Sequence, residues 1–378
     1  MKIVQMGTKY FPAHGGVEVT LRQECEWLKG QGHEVEVLCS DLAEHLRGVK
    51  LKKGSPTVNG IPVKRCWSFT PPRITYPVMP SLPVRLWWSR ADVVHAHAFW
   101  YFPADAAARV CKKRKIPFVF NPHFSPRRST FWNRYQRTVG AQTIQAADVV
   151  VAVSEWEKRL ILQEGFKPKR LEVISSGVDP EEFKAIRHNV FERYGIASRP
   201  IVLFVGRIAP DKGLDLLFRA AVGVLGDQPD VVFFVAGYDF GYWREMEHLA
   251  KRLGIRDHVI YGGTLERADL LSAFLHATIF ALPSQYEAFG LVLTEAMFAG
   301  IPVVATRASA VPTVVEEGQN GLLFEPGNVG ELARHLVTLL KNEAMRRTMG
   351  QAGRLRVLEK FNVRDHYRRL ESIYRSLV

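Results

Sequence analysis

The chain has 378 residues, of which 47% are apolar and 24% charged, with four cysteines and a formal net charge of +13. Those proportions are those of a soluble globular protein, and no apolar run reaches the roughly 18 residues a membrane-spanning helix needs. The length exceeds one compact core of ordinary size, so two domains of similar length are expected.

The opening Met1-Lys2-Ile3-Val4 reads as a strand, not as a secretory leader. Cys25, Cys39, Cys66 and Cys111 show neither C-x-x-C spacing nor a paired framework, so they are expected to be reduced, mostly core residues of a cytosolic protein. The charge is uneven. Residues 1–186 carry 28 Lys and Arg against 17 Asp and Glu, whereas the remainder carries 23 against 21. A basic first half suits an anionic membrane surface, an acidic ligand or nucleic acid, and says nothing about fold.

Lys2 to Gly7 is the first predicted strand, and Tyr10 to Val17 is a turn that enters a helix running to about Lys29. Its Gly15-Gly16 is one place where backbone amides could meet a phosphate or sugar. The G-x-G-x-x-G spacing of a dinucleotide site is absent. Strands follow at Glu34–Ser40 and Pro62–Trp67, and the proline-rich stretch Ser68–Pro83 is expected to be irregular surface. Asp92 to His97 is a strand with His95 and His97 on one face. An H-x-H pair can bind metal, but no local acidic cluster offers a third ligand, and no metal is expected.

Pro117 to Asn121 is a buried strand whose carboxyl end delivers His123, the end at which open parallel sheets collect ligands. A structural loop histidine is the other reading. Arg127 to Arg137 mixes four arginines with three aromatics, so it is either an interfacial helix, extended by Trp87-Trp88, or solvated arginines beside packed rings. Asp148 to Val153, a helix from Glu155 and the strand Leu171–Ile174 complete a doubly wound unit.

Gly177 to Ser198 is the expected crossing between domains, after which the αβ alternation restarts at Ile201. A buried strand ends in Gly206-Arg207, with Lys212-Gly213 just before the next helix. A diphosphate there would meet a bidentate guanidinium and a point charge, unless both residues are merely solvated. Strands are predicted at Val231–Gly237, His258–Tyr261, Ala277–Leu282 and Val303–Thr306, and closing helices from Val329 and from Val363 to Leu377.

Between the strand Ala277–Leu282 and a helix over Leu291–Ala299, the turn Pro283–Gly290 holds Glu287, and Glu295 lies a turn and a half into the helix. A glycine before a helix N-terminus is an anion site, because the free amides carry roughly half a positive charge. Carboxylates on both sides of such a cradle suit a ligand anionic in its middle and hydroxyl-rich at its ends, as a nucleotide-sugar is. A loop glutamate and an ordinary helix salt bridge are the plainer alternative.

Taken together, these stretches resemble the retaining glycosyltransferases of the GT-B fold, family 4. The likeness covers nearly the whole chain and rests on Gly15-Gly16-Val17, Asn121-Pro-His123, Val173-Ile-Ser-Ser-Gly-Val-Asp179, Gly206-Arg207 with Lys212-Gly213, and the E-x7-E of Glu287 to Glu295. It implies an α/β protein of two Rossmann-like doubly wound domains facing a cleft. Residues 1–182, with a C-terminal helix 361–378 crossing back, would bind the acceptor; residues 183–360 would bind the donor.

By that resemblance Arg207 and Lys212 bind the donor diphosphate, beside Gly206. Glu295 takes the ribose hydroxyls and Glu287 the transferred sugar. Ala288, Phe289, Gly290 and Leu291 line sugar and phosphate, Gly15 and Gly16 approach the diphosphate, and His123 bonds the sugar near its reacting carbon. The loop Gly262-Gly263-Thr264-Leu265 meets the base. Ser176 stands where the family usually has Asn, which leaves any contact of that amide without a counterpart.

The implied reaction is metal-independent transfer with retention from a UDP- or GDP-sugar to a glycan or lipid-linked acceptor of the cell envelope. No D-x-D motif occurs in the sequence. No cofactor, no metal and no nucleic-acid partner are expected. Localisation is expected to be cytoplasmic, including the inner face of a membrane through the basic first domain. A non-catalytic nucleotide-sugar binder and a sugar-nucleotide epimerase of the same fold are the alternatives.

Overall fold

The computed structural model describes residues 1–13, 15–44, 49–51, 56–71, 76–126 and 129–378. Arg127 and Arg128 of the arginine-aromatic segment, and His14 of the first glycine turn, lie outside the described residues. Contacts divide the chain into two units, Met1–Ser175 with Asp365–Val378, and Ser176–Arg364.

In the first unit the strands are β1 (Lys2–Met6), β2 (Glu34–Ser40), β3 (Leu42–Glu44), β4 (Val49–Lys50), β5 (Thr57–Val58), β6 (Ile61–Cys66), β7 (Val93–His97), β8 (Phe118–Asn121), β9 (Val149–Ala152) and β10 (Leu171–Val173). Eight of them form one sheet in the order β10-β9-β8-β7-β1-β2-β6-β5, parallel except for β5 against β6. The central strands β8 and β9 read as apolar runs, Phe118-Val-Phe120 and Val149-Val-Val-Ala152, because both faces are covered, which is what βαβ crossovers produce.

One face packs Leu21, Cys25 and Leu28 of the helix Gly16–Gly30 with Leu370, Ile373 and Tyr374 of the last helix, Val363–Leu377. The other packs helices Ser81–Trp87 and Phe102–Arg114 and a cluster of aromatic rings around Phe99. All four cysteines are free and buried.

Two expectations change here. The proline-rich stretch is not irregular to its end, since a helix begins at Ser81 with Pro80 at its N-cap. Pro83 is tolerated because the amide it lacks would have no partner in a first turn. The arginine-aromatic segment is helical from Thr130, capped by Ser129, and continues through a π-helical stretch, Gln136–Gly140, into Ala141–Ala146. Trp132 and Tyr135 pack on the core, and only Phe131 of its three rings is exposed. The packed-ring reading therefore holds for two of its three aromatics.

The second unit carries β11 (Ile201–Val205), β12 (Val232–Ala236), β13 (Val259–Gly263), β14 (Ile279–Leu282), β15 (Val303–Thr306) and β16 (Gly321–Phe324). They form a wholly parallel sheet in the order β13-β12-β11-β14-β15-β16. Strand order reverses between β11 and β14. In an open parallel sheet that reversal parts the loops at the strands' carboxyl ends and makes the crevice where ligands sit.

Candidate functional site at the second sheet's switch point

The two strands flanking the reversal carry most of the predicted donor residues, the exceptions being Gly15 and Gly16 of the first unit and the loop after β13. β11 runs into Gly206, Arg207 and a short 3-10 helix, Pro210–Lys212; β14 runs into the turn that holds Glu287 and Gly290. The two loops are fitted to each other. Gly213 has φ 66° and lies so close to Pro283 that a Cβ would come within 2.1 Å of the Pro283 carbonyl oxygen. The Gln285 amide donates to the Asp211 carbonyl at 2.9 Å.

This packing brings Lys212 to Glu287, whose Oε1 accepts from the Lys212 ammonium at 2.7 Å. The pair is largely shielded, with side chains 12% and 14% exposed, so its charges feel each other more than a surface pair would. Gly290, at φ 90°, is the N-cap of the helix Leu291–Ala299, whose first turn has no acidic side chain. The backbone of Glu287 is fixed by the Ala310 amide at 3.1 Å. A cation, a carboxylate and a helix N-terminus preceded by glycine thus gather on one turn.

Arg207 sits differently. Its guanidinium donates to Asp211 at 2.9 Å and lies 5.2 Å from the centre of the Phe240 ring, half-exposed. Among the described residues no bond joins it to Lys212, Glu287 or the helix end. Gly206 is held close to Gly237, where a Cβ would come within 1.8 Å of the Gly206 carbonyl oxygen.

Glu295 is buried, and Arg267 donates to its Oε1. Arg267 also holds Glu182 Oε2, at 2.5 Å through Nη2 and 3.2 Å through Nε. Burial alone would lower the Arg267 pKa, but the carboxylates of Glu295 and Glu182 outweigh it and raise it. Arg267 opens the helix Arg267–His276, two residues beyond the Gly263, Thr264, Leu265 loop, so that loop is tied to Glu295 through its own chain. No spacing rule found Arg267. The signal in the sequence was a cation in a helix's first turn, where the macrodipole disfavours it unless a carboxylate compensates.

The Val173–Asp179 stretch divides between structure and site. Gly177 packs against the chain at Phe361 and Val363, leaving a Cβ no room, and the Val178 amide donates to the Phe361 carbonyl at 2.9 Å. Asp179 caps the helix Pro180–Lys184, which delivers Glu182 to Arg267. Ser176 is buried.

In the first unit, His123 follows β8 in a left-handed conformation, φ 45°, and its Nε2 has no partner among the described residues. Burial pushes its pKa down to about 4. The turn is held from behind by Glu157, whose carboxylate accepts from the Phe124 and Val153 amides. Gly15 precedes the helix Gly16–Gly30 with extended backbone.

His95 and His97 do meet a third potential ligand, Glu24, which the sequence reading missed. Glu24 lies in the buried row Leu21, Glu24, Cys25, Leu28 of its helix, a helical spacing that could have pointed to it. Glu24 Oε2 is 3.8 Å from His95 Nδ1 and 3.6 Å from His97 Nε2. Those nitrogens are already hydrogen-bonded, His95 to Tyr374 at 2.7 Å and His97 to Gln5 at 3.0 Å, while His366 holds Glu24 Oε1 at 3.0 Å. Burial lowers the pKa of both imidazoles. The cluster is a hydrogen-bonded core that ties the last helix to β1 and β7.

A family model described as Glycosyltransferase Family 4 matches residues 14–182, and one described as Glycosyl transferases group 1 matches residues 187–356. The D-inositol 3-phosphate glycosyltransferase 1 of Catenulispora acidiphila is 31% identical over 309 residues, 76% of this chain and 72% of that protein. The chain belongs to this family of glycosyltransferases, in which a Family 4 segment precedes a group 1 segment. The D-inositol 3-phosphate glycosyltransferase of Kribbella flavida is 36% identical over 224 residues, 56% of this chain, and there the match spans about half of the relative, 52%. Among solved structures, Anabaena HepE in complex with UDP-glucose aligns with a TM-score of 0.81 at 21% identity, covering 100% of both chains. That likeness shows the fold, two Rossmann-like domains of GT-B type.

Proposed function

We propose that the protein is a retaining, metal-independent glycosyltransferase that moves a sugar from a nucleoside-diphosphate-sugar to an acceptor hydroxyl. The observation that carries this reading is the shielded Lys212–Glu287 pair at the glycine before the helix Leu291–Ala299. Breaking a sugar–phosphate bond leaves negative charge on the departing diphosphate and an oxocarbenium-like sugar. Fixed positive charge at the leaving group then matters more than a strong nucleophile.

In this reading Lys212, Arg207 and the amides after Gly290 take the diphosphate, beside Gly206. Glu287, released from Lys212 as the phosphate arrives, takes hydroxyls of the sugar, lined by Ala288, Phe289 and Leu291. Glu295 takes the ribose, and Gly263, Thr264 and Leu265 meet the base. Gly15 and Gly16 are assigned to the diphosphate and His123 to the sugar. A histidine with a pKa near 4 is a weak base at neutral pH, which supports delivery of the acceptor proton to the leaving phosphate.

The acceptor in this proposal is a lipid-linked or otherwise membrane-held glycan, favoured by the basic first half of the chain. No helix among the described residues is long and apolar enough to cross a membrane. In this proposal the acceptor is met from a peripheral position on the cytoplasmic face. The experiment is to supply UDP- and GDP-sugars one at a time to purified protein, with chelator present, and follow nucleoside diphosphate release with and without acceptor. Acceptor-dependent release with retained anomeric configuration is expected. Binding without consumption, or release of an epimer without acceptor, would replace this reading by a binder or an epimerase.

A further inference from the structure

The helix Ser81–Trp87 buries Leu82 and Leu86 in the first unit's core, and this spacing turns its other face outward. That outward face is apolar where solvent would favour polar groups. Trp88 is 79% exposed, Val84 58% and Trp87 38%. Single exposed apolar residues are ordinary, but a contiguous group that includes two tryptophans marks a contact surface.

Pro83, Val84, Trp87 and Trp88 form one wall of a groove completed by the helix Phe102–Arg114, and among the described residues its charged lining is Arg109 and Lys113. Arg85, Arg90, Lys112, Arg114 and Lys115, exposed as well, lie on or just beyond the two helices that line it. The Arg114 guanidinium carbon lies over the Trp87 ring, 5.7 Å from its centre, so a cation and an indole adjoin on this face. The adjoining hollow continues the cationic field through Lys112 and Lys115. Of the acidic side chains that line it, Asp105 accepts from Tyr135 and Thr143 at 2.7 Å each, and Asp148 is neutralised by Lys169 of the same hollow at 2.8 Å.

We propose that this tryptophan-and-lysine face is the surface by which the protein docks on an anionic phospholipid bilayer. The inference rests on the reading of a membrane-held acceptor and adds the place of attachment. Tryptophans favour the boundary between head groups and acyl chains, while Lys and Arg beside them engage lipid phosphates. Charge decides between this occupant and a second copy of the chain. Two copies joined through this face would press one cationic field against another, which like-charge repulsion opposes.

The test is flotation of the full chain with phosphatidylcholine vesicles, with and without phosphatidylglycerol. Wild type is expected to float with the anionic vesicles and to be released by salt. Trp88→Ser should weaken binding at least several-fold. Lys112→Glu with Lys113→Glu should weaken it more than about twentyfold, since each basic side chain near an anionic surface is worth about fivefold. Unchanged thermal midpoints would show that both variants fold, as their exposure predicts.

If the variants float as well as wild type does, this face is not the docking surface, although a membrane reading would survive. Wild type indifferent to phosphatidylglycerol would overturn both. A concentration-dependent dimer that Trp88→Ser dissolves, without vesicle binding, would make the face a contact between copies and overturn the proposal.

Discussion

At Arg267 one guanidinium joins two glutamates from different elements, and the orientation of Glu295 depends on it. If Glu295 reads the ribose diol, Arg267→Met should erode discrimination between UDP and 2′-deoxy-UDP, or between the corresponding guanosine pair. Calorimetric affinities should show wild type and Arg267→Lys preferring the ribonucleotide and Arg267→Met favouring it by no more than about twofold. A purely structural arginine would weaken both ligands alike and leave the ratio intact. Loss of a buried, charge-assisted bond should also cost stability, on the order of 3 kcal/mol.

Titration in the first unit is a second residue-scale matter. Burial holds His95, His97 and His123 below the ordinary imidazole value, His123 near 4. Their contribution to stability is therefore present above the unfolded value, about 6.5, and lost as pH falls through the folded one, on the order of 3 kcal/mol for His123 alone. Glu157 runs the other way. Burial raises its pKa to about 7 against the backbone amides of Val153 and Phe124, so its contribution is present below the unfolded carboxylate value and lost as pH rises through 7. The three lowered imidazoles act against Glu157 and the carboxyl of Asp105, which burial also raises, and the thermal midpoint is expected to fall between pH 7 and pH 5. Glu157→Gln should steepen that fall; a flatter profile would contradict the assignment.

On the scale of elements, the site depends on how closely the loops after β11 and β14 approach. Gly213→Ala places a methyl on the Pro283 carbonyl and forces a left-handed backbone on alanine, so denaturant unfolding should show a loss of at least about 2 kcal/mol. Nucleotide affinity should fall with it, because the same approach seats Lys212 against Glu287.

These strand–loop–helix units were legible in the sequence, since apolar or alternating runs of four to seven residues take turns with helical spacing: β2, β15 and the helix Leu291–Ala299 have the predicted bounds. The edge strand β16 was not found, because Gly321-Leu-Leu-Phe324 is short, begins with glycine and has only one strand neighbour. The helix at Ser81 was hidden by prolines that a first turn tolerates. Nearness was the other illegible part. Nothing in the spacing of Lys212 and Glu287, or of Glu24, His95 and His97, states which side chains meet; that follows from strand order.

For the molecule as a whole, the last helix shows that the two units are not consecutive halves. Leu370, Ile373 and Tyr374 are core residues of the first unit, and His366 and Tyr374 bond its buried Glu24 and His95. Truncation before Asp365 should destabilise the first unit by many kcal/mol, since each large core side chain removed costs about 2–5 kcal/mol. Differential proteolysis should then cut the first unit while sparing the second.

The central claim is that positive charge held at the switch point of the second sheet carries off a departing diphosphate. Its most direct test is the rate of nucleoside diphosphate release from the accepted nucleotide-sugar by wild type and by Arg207→Ala with Lys212→Ala, both checked for folding. Release abolished in a folded double variant is the predicted result; turnover equal to wild type would contradict the account.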